Sequence, residues 1–525
     1  MISDSDNFYD FVYETFYGFS DVRAEDVGII FSRDVQYPLI DLLQEPVMVI
    51  PMPKLVGKQY VYEGMVFDNS PEGRKDMWSL FLATLYHLSS HAAVASYAKY
   101  EKWRENKTAD TCWKVIDFIE DISAERYLRH KDKAIWQNMS TIEARLLEVT
   151  KSNESHSSKN PRYSKRFQDQ NESTKISLLR DEIAESIGKD GYEKKLLSIA
   201  DFLYKNRELL ERPLLPFQEH HEVLWSPKVG DNGIKLERSG AFEAQAQKLD
   251  SLWETHEQQR NKILKRYKKH LKGLNFDSIV IPAGNVQAYE KIKANTLPML
   301  RRIRQQIRLI ANLTDDPKID QIGYIDMQMA IQAVASEGQT TEIFERDELR
   351  RGEEAWVILI DKSASMELRF DSLKEFAVCV SESANELTGK QDAWALYSFD
   401  NNFNIVKDFK EKFNQEIKAR IGTITNGGLS LLPDAIELSA RILTEDPRER
   451  KYIFVVTDGH PSGYDRIHEA FTKTIKKTEM HGITLVGIGV TKAISRKFRN
   501  SARGTDLKQL VTKFVTAYKV VAIDV

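Results

Sequence analysis

Residues 355–366 read Ala-Trp-Val-Ile-Leu-Ile-Asp-Lys-Ser-Ala-Ser-Met. The apolar run from Ala355 to Ile360 leads straight into Asp361, and Ser363 and Ser365 follow at alternate positions. A continuous run of this kind, ending in a polar loop, predicts a strand buried on both faces. In open parallel α/β sheets the binding groups sit on loops at the carboxyl ends of the strands. A carboxylate and two hydroxyls at such a place are hard oxygen donors, suited to Mg²⁺ or Mn²⁺ rather than to zinc. The plainer alternative for the same residues is a strand followed by an ordinary Asx or serine turn.

The pattern recurs downstream. Residues 451–458, KYIFVVTD, form a second apolar run ending in an acid, Asp458, with Gly459 after it. Residues 483–490 (ITLVGIGV) and 392–399 (DAWALYSF) predict two more strands, and helical periodicity runs over 372–387, 432–443 and 465–480. Strands alternating with helices predict βαβ units and a Rossmann-like, doubly wound, mostly parallel sheet.

These residues resemble the von Willebrand factor A family. Asp361, Ser363 and Ser365 match its DxSxS signature, and Asp458-Gly459 its second acidic loop. Between them Gly427-Gly428-Leu429-Ser430 stands where the family usually has Gly-Gly-x-Thr. Serine keeps the hydroxyl but removes a β-branched residue that would stiffen the loop. Thr423 and Thr425 lie close by and compete with Ser430 for the role. The resemblance implies a metal-ion-dependent adhesion site (MIDAS) holding Mg²⁺ or Mn²⁺, with Asp361, Ser363, Ser365, Ser430 and Asp458 around the ion.

The chain has 525 residues, and at roughly 100–200 residues per domain this leaves room for further domains. The expected division is a mainly helical domain over 1–150, a flexible polar linker over 151–175, a helical region with a long α-hairpin over 176–345, and the A-type domain over 346–525. A net charge of −3 marks neither a polyanion binder nor a polyanion mimic. With only Cys112 and Cys379, no disulfide framework is expected, and a reducing compartment is favoured. The first residues, MISDSDNFYDFVYETF, are acidic and aromatic, unlike a signal peptide. No apolar run approaches the ~20 residues that span a bilayer. A cytoplasmic protein without a membrane anchor is therefore expected.

In the N-terminal part, helices are predicted over 78–100, 111–128 and 135–149, and the proline-flanked run 46–53 reads as an edge strand or extended connector. His87 and His91 share one helical face at the spacing of HExxH peptidases, and Glu120, Asp121 and Glu125 offer nearby carboxylates, with Glu120 the candidate third ligand. Leu88 occupies the place of the catalytic glutamate, so a metal-bound water there would lack its usual base. The competing reading is a pair of satisfied histidines beside an acidic helix. Two long helical stripes, about 242–272 and 286–312, predict an antiparallel α-hairpin. Their basic residues, such as Lys265, Arg266, Arg301 and Arg304, read as a solvated face; no aromatic interleaving supports nucleic-acid binding.

Upstream of the A-type domain, Gly323, Ile325, Asp326, Ala330 and Ile331 fit a GxIDxxxAI segment, and 457–465 reads TDGHPSGYD. This whole region is similar to the nitric oxide reductase activation protein NorD and, more distantly, to CbbO and CobT-type cobaltochelatase subunits. That resemblance implies an adaptor or co-chaperone, not itself an enzyme, that works with a MoxR-type AAA+ ATPase of the NorQ or CbbQ kind to activate or metallate a client enzyme. The chain contains no G-x-x-x-x-G-K-[ST] phosphate loop, so the ATPase would have to be a separate protein. The alternatives are a zinc-dependent hydrolase centred on His87 and His91, or a chelatase subunit of the CobT type.

Overall fold

A computed structural model describes residues 5–41, 46–94, 97–156, 178–185, 192–210, 234–238, 240–315, 319–320, 324–325, 327–336, 344–345, 354–388, 390–489, 497–504 and 506–523. Most of the expected linker, Gly323 and Asp326 of the GxIDxxxAI segment, and most of the approach to the first strand (337–343 and 346–353) lie outside the described residues. The chain divides into two compact units, residues 1–259 and 260–525.

The first unit is mainly helical. Its helices include α1 (Phe8–Ser20), α2 (Pro71–Val94), α3 (Ala109–Lys131), α4 (Lys133–His156), α5 (Tyr192–Lys205) and the first part of α6 (Gly240–His270). α2 is buried on every side from Asp76 to His91, which is why its sequence carries so few charges. α3 packs along it. Within this mainly helical domain lie two small sheets, β1 (Gly28–Ser32), β3 (Val47–Pro51) and β2 (Leu39–Asp41) in that order, and the meander β4 (Lys54–Val56), β5 (Gln59–Tyr62), β6 (Met65–Asp68). Residues 46–53 are thus no edge or connector. β3 is the central strand, parallel to β1 and antiparallel to β2. Its prolines stand at the ends, so Val47, Met48, Val49 and Ile50 keep the N–H groups a central strand needs.

The second unit is built on a seven-stranded sheet in the order β16-β15-β14-β11-β12-β13-β7. Its strands are β7 (Ser278–Val280), β11 (Glu354–Asp361), β12 (Trp394–Phe399), β13 (Asn402–Lys407), β14 (Arg450–Thr457), β15 (Ile483–Gly489) and β16 (Asn500–Arg503); β8 (Ile319–Asp320), β9 (Tyr324–Ile325) and β10 (Phe344–Glu345) form a separate small sheet. All pairs in the large sheet are parallel except β12 with β13. β11 is buried along its length, and its residues alternate between two cores. Trp356, Ile358 and Ile360 face one, and Ala355, Val357 and Leu359 face the other. The first core is completed by α7 (Val286–Asp315), α9 (Phe370–Leu387), α10 (Gln415–Gly422) and α13 (Leu507–Ile523), the second by α11 (Leu432–Thr444) and α12 (Ile467–Met480). A short helix α8 (Met327–Ala335) precedes β10. Cys112 and Cys379 are both free and buried. Among the described residues no helix is long and apolar enough to cross a membrane.

Among the described residues the two helices expected as an α-hairpin, about 242–272 and 286–312, enter different cores. The last turns of α6 bring Ile263 and Tyr267 to one core of the sheet, whereas Tyr289, Leu300 and Ile303 of α7 enter the other. The break between these helices is not a hairpin loop but β7, which pairs in parallel with β13 and caps that edge of the sheet. Tyr267 donates to the buried Asp408 at 2.6 Å, and Arg266 pairs with the same carboxylate at 2.5 Å. Arg266, expected on a solvated face, is thus committed to the fold. The compact unit that carries the large sheet accordingly begins near residue 260. A fragment covering 260–525 should unfold cooperatively on heating. One covering 346–525 should not, because losing β7, α7 and the end of α6 uncovers several side chains, each worth roughly 1.5–3 kcal/mol. Against a total stability of about 5–15 kcal/mol that loss is decisive. Circular-dichroism melts of both fragments check this, and a sharp transition in the shorter one would place the boundary back at 346.

Candidate metal centre

The chain order reverses between β11 and β14: from β11 it builds outward through β12 and β13, then returns to β14 on the other flank. At such a switch point the loops beyond the carboxyl ends diverge and leave a crevice. Asp361 ends β11, and Thr457 and Asp458 end β14, so the strand register brings these groups to one crevice.

Asp361 is fully buried. Its Oδ1 accepts the backbone N–H of Ser363 at 3.0 Å, and its Oδ2 accepts the hydroxyls of Ser430 and Thr457, each at 2.7 Å. The Ser363 and Ser365 hydroxyls lie 3.1 Å apart, the first buried and the second exposed. Asp458 is buried, and its Oδ1 accepts the His460 N–H at 2.8 Å. The backbones of the first and third loops are laced together: Gly427 N–H donates to Lys362 O at 2.8 Å and Ala364 N–H to Gly428 O at 3.1 Å. Gly428 has φ of 70°, and a Cβ there would meet Asn401 Oδ1 at 2.9 Å, so the turn needs glycine twice over. Ser462 pins the third loop to the acidic one, its hydroxyl accepting from Ser430 N–H at 2.8 Å and its own N–H donating to Ser430 O at 2.9 Å.

The donors suit a cation. Burial pushes the Asp361 carboxyl above its ordinary range, with the hydrogen bonds from Ser363, Thr457 and Ser430 opposing that shift. Among the described residues no lysine or arginine forms an ion pair with Asp361; Lys362 beside it is committed to Asp400 at 2.8 Å. A buried carboxylate supported only by neutral donors, with further hydroxyls facing the same crevice, is an oxygen cradle of the kind that hard divalent ions take.

The family model for the von Willebrand factor type A domain matches residues 357–520, from within β11 to within α13. The chain carries a von Willebrand factor type A domain over residues 357–520, within its C-terminal unit. The chain is 26% identical over 179 residues to the uncharacterized protein PA0525 of Pseudomonas aeruginosa, and 25% identical over 187 residues to protein NorD of Stutzerimonas stutzeri. Each match covers 32% of this chain and 28% or 30% of the relative, so the chain spans less than a third of the length of these relatives. Similar solved structures include a von Willebrand factor type A protein from Catenulispora acidiphila (20% identity, TM-score 0.25, covering 32% of this chain and 43% of that one). Another is proximal thread matrix protein 1 of the mussel byssus with a zinc-occupied MIDAS motif (19% identity, TM-score 0.26, 33% and 46%).

Within the A domain the structure brings Asp361, Ser363, Ser365 and Ser430 together and sets Asp458 at the end of the neighbouring strand. It also separates the hydroxyls that competed in the sequence. Thr423 Oγ1 donates to Ala283 O at 2.6 Å, away from the crevice, and Thr425 is exposed, whereas Ser430 reaches Asp361. Thr457 was not among the expected site residues. Its only signal was a hydroxyl directly before the acid of the second strand. Lys497, also unanticipated, donates to Gly459 O at 2.5 Å; burial lowers its pKa, and the charge of Asp458 opposes that.

In the helical unit the expected trio is corrected. Glu120 does not join His87 and His91: it is fully buried, accepts the Tyr100 hydroxyl at 2.7 Å and pairs with Lys99 at 2.8 Å. On a helix of 3.6 residues per turn, adjacent side chains point about 100° apart. The next residue, Asp121, therefore faces the histidines instead.

Two predictions follow from the A-domain geometry. Ser430→Ala removes a hydrogen bond to a buried carboxylate and should cost about 1.5–3 kcal/mol in urea unfolding with chelator present. Thr425→Ala, at an exposed position, should stay within about 0.5 kcal/mol of the parent. The second prediction concerns pH. With its carboxyl raised, the folded chain holds the Asp361 proton more tightly than the unfolded chain does. Stability therefore falls as pH rises from the unfolded value, about 3.9, through the folded one, and the penalty persists above it. In chelator, Asp361→Asn should melt above the parent at neutral pH, and the gap should close on acidification. A parent that melts higher throughout would show the ionised carboxylate to be well solvated or paired.

Proposed function

We propose that this protein is a metal-dependent adaptor that acts by binding rather than by catalysis. What carries the reading is the buried Asp361, ringed by neutral hydroxyls at the mouth of the A-domain crevice and compensated by no basic side chain among the described residues. Ser363, Ser365 and Ser430 would hold Mg²⁺ or Mn²⁺ as in a MIDAS, with Asp361 and Asp458 close by or acting through water. The loops thus supply about five oxygen-bearing groups where Mg²⁺ takes six ligands. Such an ion, when bound, offers a position to a carboxylate from another protein and offsets the repulsion that Asp361 and Asp458 would exert on it.

The rim fits a protein partner. Leu368, on the turn after Ser365, is 99% exposed, and Leu429, beside Ser430, is 48% exposed. Apolar side chains next to the ion position would seat the residues flanking an incoming acid. Similarity to NorD supports a role in activating or metallating a client enzyme in the cytoplasm, in concert with a MoxR-type AAA+ ATPase of the NorQ or CbbQ kind. The chain lacks a phosphate loop, so ATP hydrolysis belongs to that partner.

The test is the partner's ATPase rate with and without this protein in Mg²⁺. Addition of the parent should change the rate, and the Asp361→Ala/Asp458→Ala variant should change it far less. Because ATP itself needs Mg²⁺, the double variant rather than chelation is the informative control. Equal binding and equal stimulation by both proteins would remove the A-domain loops as the docking site.

A further inference from the structure

The helical unit carries a second cluster whose donors differ from those of the A domain. His87 and His91 lie one turn apart on α2, and Asp121 faces them from α3. His91 Nε2 is 3.2 Å and His87 Nε2 is 3.5 Å from the same oxygen, Asp121 Oδ1. All three side chains are buried, His91 completely, and the imidazole rings meet edge to face at 4.6 Å.

Two features bear on what this cluster could hold. The first is spacing. A tetrahedral ion with arms of 2.0–2.1 Å has ligand atoms about 3.4 Å apart; the two nitrogen–oxygen separations bracket that value, and all three ligand atoms lie within 4.8 Å of one another. The second is space. A cavity of about 50 Å³ opens beside His87 and Asp121, lined also by Ser90, Glu125, Ser140 and Glu143 among others. A water needs roughly 10–15 Å³ of such volume, so a solvent ligand fits beside the protein ones. Arg180 also lines the cavity and is paired with Glu125 at 2.6 Å.

We infer that His87, His91 and Asp121 form a site for a borderline divalent transition ion of the zinc class, with a coordination position open to the cavity. Two imidazoles and a carboxylate favour such ions over Mg²⁺ and Ca²⁺, which prefer all-oxygen sets. The inference stands apart from the adaptor reading, because no residue is shared. It also assigns no hydrolysis: Leu88 occupies the position where HExxH peptidases carry their base.

The alternative is a hydrogen-bonded trio only, in which Asp121 accepts from both imidazoles. The deciding experiment uses the full chain, free of any histidine tag, stripped of metal and then titrated with Zn²⁺ in excess Mg²⁺. One Zn²⁺ per chain should bind, and Asp361→Ala/Asp458→Ala and Glu120→Gln should leave it unchanged. His87→Gln and Asp121→Asn should weaken it about tenfold or more. Co²⁺ should give the intense visible band of a low-coordinate, nitrogen-bound ion in the parent. Should the His87 or Asp121 variants fail to fold, the parent's Co²⁺ spectrum and the A-domain double variant still decide. Absence of that band, or loss of the zinc with the Asp361/Asp458 pair, would overturn the inference in favour of the hydrogen-bonded trio.

Discussion

A carboxylate taken out of water needs compensation, and the A domain is arranged around one that receives it from neutral donors. Asp361 is fully buried at the end of the central strand and is held by one backbone N–H and the hydroxyls of Ser430 and Thr457. Removing an ion from water costs several kcal/mol even after relaxation, so those donors must arrive with little freedom. The rest of the unit supplies that rigidity. β11 and β14 run in register to the point where Asp361 and Thr457 meet, Gly428 lets the third loop turn tightly against Asn401, and Ser462 ties Ser430 to the acidic loop. The doubly wound order matters for the same reason. Only where the connections diverge can three loops from distant parts of the chain close on one carboxylate.

The parts legible in the sequence were those whose signal is local. β11, β14 and β15 are apolar runs, and each ends close to where the run stops. The helices between them keep their 3.6-residue stripe. What stayed hidden depends on partners far along the chain. β7 has three residues and is a strand only because β13 lies beside it. The two long helices each show one apolar stripe, which suits a hairpin, but a stripe does not say what it faces. In α6 the stripe serves two cores in succession: Trp253 packs against Phe8 and Trp78, whereas Ile263 and Tyr267 belong to the sheet. The prolines of 46–53 point to an edge strand or extended connector, but they stand at the ends of β3 and leave its hydrogen-bonded interior intact.

At the sites the same division holds. DxSxS and Asp458-Gly459 are contiguous, and the structure gathers them as the spacing suggests. Ser430 could not be told from Thr423 and Thr425 by sequence, since all three lie within one short loop region. The structure separates them by direction: Thr423 turns to Ala283 O, and Ser430 turns to Asp361. For the histidines, HLSSH fixes a face of α2 but not the rotation of α3 against it. One residue of helical phase exchanges Glu120 for Asp121, and with it an ion pair to Lys99 for a carboxylate facing two imidazoles.

The two clusters also differ in how their surroundings let them respond to a ligand. The A-domain donors sit on loops, with Ser365 and Leu368 exposed, so the crevice can accept a group from outside without opening the core. The histidine trio is carried by two helices, and α2 is buried from Asp76 to His91, so its side chains move only if the helix packing moves. Packed interiors do not deform smoothly. A ligand at the loops can therefore exchange at little cost to the fold, whereas anything held between α2 and α3 is held by the stability of that whole unit. Placing hard oxygen donors on the loops and imidazoles between the helices separates a surface suited to reversible contact from a centre suited to retention.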